Sequence, residues 1–97
     1  MATFVTLLKF TEKGVKEYKD TCRRAADFKA MAKKHGIEVK ETYWSMGSFD
    51  GVIIFDAPDD ATAASGMLAL SAHDCVTPQT LRCFTSTEMA QIVAKAT

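Results

Sequence analysis

The sequence predicts an α+β fold built on one antiparallel sheet. Three observations point there. Strand-like runs rich in β-branched and aromatic residues (Thr3–Phe10, Ile37–Met46, Val52–Phe55, Gln79–Phe84) alternate with stretches of helical periodicity. The second and third runs are separated only by the turn Met46-Gly47-Ser48-Phe49-Asp50-Gly51, which leaves no room for a crossover helix and so makes them a hairpin. A chain of 97 residues holds one hydrophobic core and rarely two.

Each element has its own local reason. Thr3–Phe10 opens the chain as a buried strand. Thr11 caps a turn of helix carrying Glu12 and Lys13, and Gly14 weakens it. Val15, Tyr18 and Cys22 share one helical face, whereas Ala25, Phe28, Met31 and Ala32 share another. The rotation between them predicts a short helix near 12–19, a second N-cap at Asp20 or Thr21, and a helix to about His35, stopped by Gly36. In Ile37–Met46, Ile37, Val39 and Tyr43 are expected on one face, and Thr42, Trp44 and Met46 on the other. The continuous run Val52-Ile53-Ile54-Phe55 reads as a central strand covered on both faces. Ala57-Pro58-Asp59-Asp60 places proline and acids at the start of a helix, Ala61–Ser71, small and Ala-rich enough to pack close to a sheet. Thr77-Pro78 marks an edge or bulge before Gln79–Phe84. Thr85 or Ser86 caps a last helix with Met89, Ile92 and Val93 as its apolar stripe. The order β-α-β-β-α-β-α is the ferredoxin-like arrangement, a four-stranded antiparallel sheet with helices on one face, filling residues 1–97 as one domain.

Composition excludes several classes. The chain is 47% hydrophobic and 25% charged, which fits a packed core and not a disordered segment. No run of about 18 apolar residues exists, so no membrane span is expected. Twelve basic and twelve acidic residues cancel, leaving no overall pull towards nucleic acid or anionic lipid. The eight Lys and Arg between Lys13 and Lys34 are interleaved with Glu17, Asp20 and Asp27, as on a solvated helix face. The N-terminus shows no secretory leader, the chain contains no Asn to glycosylate, and Cys22, Cys75 and Cys83 are odd in number and widely spaced. These features predict a cytoplasmic protein with free thiols. His35 and His73 lie at helix ends without ligand-spaced partners, so neither a metal nor a cofactor is expected. His73 and Cys75 are two residues apart in a loop, which does not ensure the contact of about 3 Å that a thiol–imidazole pair needs. The glycines form neither a P-loop nor a dinucleotide-binding fingerprint.

The expected face away from the helices, with Trp44, Met46 and alternate residues of strands 1 and 3, would leave a monomer with a large apolar surface. Self-association is the simplest cover. Several segments carry a resemblance: Leu8-Lys9-Phe10-Thr11-Glu12-Lys13-Gly14, Phe28-Lys29-Ala30-Met31-Ala32, Tyr43-Trp44-Ser45-Met46-Gly47-Ser48-Phe49-Asp50, Ala57-Pro58-Asp59-Asp60 and Thr80-Leu81-Arg82-Cys83-Phe84-Thr85. Their order and spacing resemble the GYD-domain family, whose Gly-Tyr-Asp element reads here Gly47-Ser48-Phe49-Asp50, with Phe49 in place of tyrosine. The resemblance implies a dimeric α+β barrel, in which two sheets pair face to face, and leaves the biochemical role open.

The candidate ligand-binding residues are Tyr43, Trp44, Met46, Gly47, Phe49, Asp50 and Arg82. Trp44 can pack a flat ligand, and Asp50 is the one candidate catalytic base. Asp50 also suits a turn, where its carboxylate would cap backbone N–H groups. Arg82, mid-strand between Leu81 and Cys83, suits a carboxylate ligand, an ion pair with Asp50, or a snorkelling surface position. In the expected strand order Asp50 and Arg82 are three strand steps apart, roughly 14 Å. Two functions stay open: an oligomeric binding or structural protein with a small-molecule pocket between paired sheets, and a cofactor-free enzyme, monooxygenase- or isomerase-like, acting on a small hydrophobic or aromatic substrate. The second rests on what the resemblance implies about dimeric α+β barrels, since a fold does not fix a reaction.

Overall fold

The computed structural model describes residues Met1–Thr97. Strands β1 (Ala2–Phe10), β2 (Glu38–Trp44), β3 (Gly51–Ala57) and β4 (Val76–Cys83) form one antiparallel sheet in the order β2-β3-β1-β4. Helices α1 (Glu12–Lys16), α2 (Thr21–Lys34), α3 (Asp60–Ser71) and α4 (Ser86–Ala96) complete the ferredoxin-like order. A three-residue 3-10 turn, Tyr18–Asp20, joins α1 to α2. It separates Val15 in α1 from the face of α2 that carries Ala25, Phe28, Met31 and Ala32, and Cys22 lies in α2 with them; the first helix is therefore shorter than the 12–19 expected.

The caps follow local chemistry. The Thr11 hydroxyl accepts from Gly14 N at 3.1 Å and starts α1. The Asp59 carboxylate accepts from Thr62 N at 2.7 Å and starts α3. Thr85 and Glu88 form a reciprocal capping box at α4. Asp20 stands at the N-cap of α2 without a side-chain capping bond.

The core lies between the sheet and α2 and α3. Phe4, Leu8, Ile53, Phe55 and Ala57 meet Phe28 and Ala32 of α2 and Ala63 and Met67 of α3. Phe4 and Phe55, paired across β1 and β3, stack with ring centroids 5.3 Å apart. Thr6 is fully buried among them, its hydroxyl 2.9 Å from Thr80 Oγ1 and 3.3 Å from Met67 Sδ. That satisfies a polar group whose burial would otherwise be costly.

The register places the alternate residues Val5 and Leu7 beside Ile54 and Val52 on the opposite face, with Leu81 across from Val5. These side chains are at most partly buried, whereas Phe4, Ile53 and Phe55 on the helix side are buried. The run Val52–Phe55 is therefore covered on one face within the chain, not on both. Pro78 lies inside β4, opposite Leu8, and the edge position tolerates its missing N–H. The expected edge is thus present, and the strand begins at Val76, before the proline and not after it.

Strand β2 differs most from expectation. A bulge between Val39 and Glu41 inserts Lys40 as an extra residue. Val39 pairs with Phe55 and Thr42 with Ile53, so both share the helix-facing side. The strict alternation that put Val39 with Tyr43 fails because one extra residue reverses facing. Trp44, opposite Gly51, then faces α2, and Tyr43, opposite Val52, faces away. This corrects the placement of Trp44 on the uncovered face. Met46 is beyond the strand, in the turn, and 98% exposed.

Candidate cavity between helix α2 and the sheet

Along β3 the helix-facing side chains shrink from Phe55 through Ile53 to Gly51. Gly51 carries no side chain where Trp44 pairs with it, and Gly14 approaches the main chain of Cys75 from α1. An ideal Cβ on Gly14 would stand 2.0 Å from the Cys75 carbonyl oxygen, so this position requires glycine. Thr11 N donates to Cys75 O at 3.0 Å, stitching the start of α1 to the loop before β4. Between this stitch, α2 and the sheet lies a cavity of about 380 Å³. Leu8, Phe28, Met31, Trp44, Ile53 and Leu70 form much of its apolar wall, and Thr42, His73 and Cys75 supply polar edges.

Trp44 crosses from the edge strand to the helix. Its indole N–H donates to Thr21 Oγ1 at 3.0 Å, which fixes the ring at the N-terminus of α2. Arg23 and Arg24 also border the cavity. Their charges are matched by acids: Arg24 lies 2.6 Å from Glu17 and 3.9 Å from Asp20, and Arg23 lies 3.8 Å from Asp20 and 3.5 Å from Asp27. No three His, Cys, Asp or Glu side chains gather as a metal-binding cluster.

The structure divides the sequence-predicted residues. Trp44 lines the cavity, and Tyr43 borders it although its side chain is on the opposite face of the sheet; Met46, Gly47, Phe49, Asp50 and Arg82 do not border it. Gly47 adopts φ +105° in the turn, a conformation that glycine takes without strain. The Phe49 carbonyl accepts from the Ser45 hydroxyl at 2.7 Å. Asp50 Oδ2 accepts from Phe10 N at 2.8 Å, and Asp50 N donates to Leu8 O at 2.7 Å. The Asp50 side chain thus extends the β1–β3 ladder beyond Gly51, which is the backbone-capping role. Arg82 faces the helix side opposite Phe4, with its guanidinium 5.6 Å from the Phe4 ring centroid and 4.5 Å from that of Phe84. Its nearest acid is Glu88 at 3.9 Å, so Asp50 and Arg82 are not a pair.

Thr21, Thr42 and Leu70 border the cavity without a signal in the sequence. The apolar face containing Phe28 and Met31 is legible in the helical spacing, but a gap beneath that face leaves no periodic signal. The bulge alone decides that Trp44 joins them.

The fold has a counterpart among solved structures. A crystal structure described as "Putative Chlorite dismutase TA0507" matches with a TM-score of 0.58 at 18% identity. The match covers 96% of this chain and 48% of the other, so the chain spans about half the length of that relative. The likeness shows a shared α+β fold. No curated protein matches the chain in sequence. No helix is long and apolar enough to cross a membrane. The GYD-domain model matches residues 4–93, nearly the whole sequence, and the chain belongs to the GYD-domain family.

Proposed function

We propose that this chain is a small-molecule-binding protein that works as a homodimer, and that its ligand is a flat, uncharged, largely apolar molecule held between α2 and the sheet. The observation that carries the reading is the cavity of about 380 Å³ with Trp44 in its wall. Ligand sites are typically about 300–1,000 Å³, mostly apolar, with a few polar groups that set orientation. The matched charges of Arg23 and Arg24 supply no net attraction for an ion. Thr42 and His73 provide hydrogen-bonding groups at the edge for a hydroxyl or carbonyl substituent. The uncovered face with Val5, Leu7, Val52, Ile54 and Leu81 supports pairing with a second copy, as in a dimeric α+β barrel.

Trp44 is the only tryptophan, so its fluorescence reports on this wall alone. Titration with the neutral two-ring probe N-phenyl-1-naphthylamine is expected to quench it to saturation by energy transfer. The substitution Ala25→Phe, which fills the cavity from α2, is expected to weaken binding at least tenfold. Unsaturable quenching, or equal affinity in the filled variant, refutes the binding site.

A further inference from the structure

Helix α4 stands apart from the rest of the molecule. None of its residues is buried, and it packs appreciably against no other helix or strand. Its capping box is nonetheless complete, and only Glu88 and Lys95 are charged between Ser86 and Ala96. Met89, Ile92 and Val93 form an apolar stripe on an element of eleven residues. Helices this short gain most of their stability from packing such a stripe, which the chain itself does not do here.

The dimensions of the molecule agree. The radius of gyration is 14.6 Å, against about 12.5 Å for a compact domain of this length. The accessible surface is 6449 Å², against about 5,500 Å² for a monomer of this mass. The excess of roughly 1,000 Å² is close to the ~800 Å² that each partner gives up in a stable complex.

A groove of matching form runs between α3 and the edge strand β4. It has a volume of about 500 Å³ and is lined by Ala63, Ala64, Met67, Leu68 and Pro78. Leu68 is 73% exposed on it. Small side chains let a second helix approach closely. The twelve residues of α3 span ~18 Å and the eleven of α4 ~16 Å, so the lengths match. Seated antiparallel to α3, α4 brings Lys95 towards Asp60, which borders the groove. Neither residue has an ion-pair partner within its own chain. The same orientation opposes the two helix dipoles.

We infer that α4 is an exchanged arm, seated in the α3–β4 groove of a second copy of this chain. The inference shares with the proposed dimer only the need for a second copy and is independent of the ligand. The test uses the full-length protein. Sedimentation over a dilution series gives the self-association constant of the wild type and of the double variant Met89→Asp/Val93→Asp. The variant changes no core residue, so its far-UV circular dichroism stays that of a folded α+β protein while its dissociation constant rises at least tenfold. In a Cys22→Ser/Cys83→Ser background, chains carrying Leu68→Cys are mixed with chains carrying Met89→Cys and oxidised. A mixed disulfide dimer is expected. Unaltered self-association of the double variant with no mixed disulfide overturns the exchanged arm and leaves the sheet-face dimer standing. A monomeric wild type at tens of micromolar overturns both.

Discussion

Trp44 donates its indole N–H to Thr21 Oγ1 at 3.0 Å, and this bond ties the edge strand β2 to the first turn of α2 across the cavity mouth. It orients the largest ring in the wall without occupying the space beneath α2. Thr21→Val keeps the shape of the side chain and removes the acceptor. The expected cost is about 1 kcal/mol in stability or less, because the bond is solvent-exposed. Affinity for N-phenyl-1-naphthylamine is expected to fall several-fold, because the ring loses its fixed orientation. Chemical denaturation and probe titration check the two values.

Gly14→Ala is expected to destabilise the protein although alanine is the better helix former by about 1 kcal/mol. The added Cβ would meet a main-chain carbonyl at 2.0 Å, which no rotamer change can relieve. Overpacking of this kind costs about 1–3 kcal/mol, and a domain of this size loses about 4–8 °C per kcal/mol. A melting curve displaced downward by roughly 10 °C is the predicted result. An unchanged melting temperature would show that the Gly14–Cys75 approach is not maintained.

Asp50 is expected to be structural. Asp50→Asn retains an acceptor for Phe10 N and is predicted to cost about 1 kcal/mol. Asp50→Ala leaves that N–H without its partner and is predicted to cost about 1–3 kcal/mol. Neither change is expected to alter probe affinity, since Asp50 is outside the cavity wall. A loss of binding in a folded Asp50→Asn protein would reassign the residue to the site.

The acid limit of α4 follows from its cap. Glu88 is held below its ordinary value of 4.5 mainly by the Thr85 N–H it accepts from. Asp59 is held below 3.8 by the Thr62 N–H at the start of α3. A carboxyl whose folded value is depressed adds stability above its unfolded value and loses it as pH falls through the folded one. The loss therefore begins near the unfolded values, about pH 4–5, and grows on further acidification. Amide exchange at Ser86–Glu88 is predicted to accelerate over this range relative to α2. In Glu88→Gln that acid-dependent change should be absent.

Much of this architecture is legible in the residues themselves. Thr11, Asp59 and Thr85 announce their helices because a cap is chemistry between near neighbours in sequence. The helix stripe Phe28–Met31–Ala32 and the apolar strands likewise carry their period openly. The facing of Trp44 is not legible, because the bulge at Lys40 is fixed by pairing with β3, a partner distant in the chain. Strict alternation therefore fails from Lys40 onward, and the candidate site moves with Trp44 from the uncovered face to the helix side. Gly14 reads locally as a weak helix position; its reason is the Cys75 carbonyl, 61 residues away in the chain. Arg82 reads as a ligand clamp or an Asp50 partner until the register sets it over Phe4.

The ligand is expected between α2 and the sheet, against Trp44. Nuclear Overhauser effects between bound N-phenyl-1-naphthylamine and the protein test this placement most directly. Contacts are expected from probe protons to Phe28, Met31, Trp44 and Ile53. Contacts to Val5, Leu7 and Ile54 on the opposite face of the sheet, with none to Phe28 or Trp44, would contradict it.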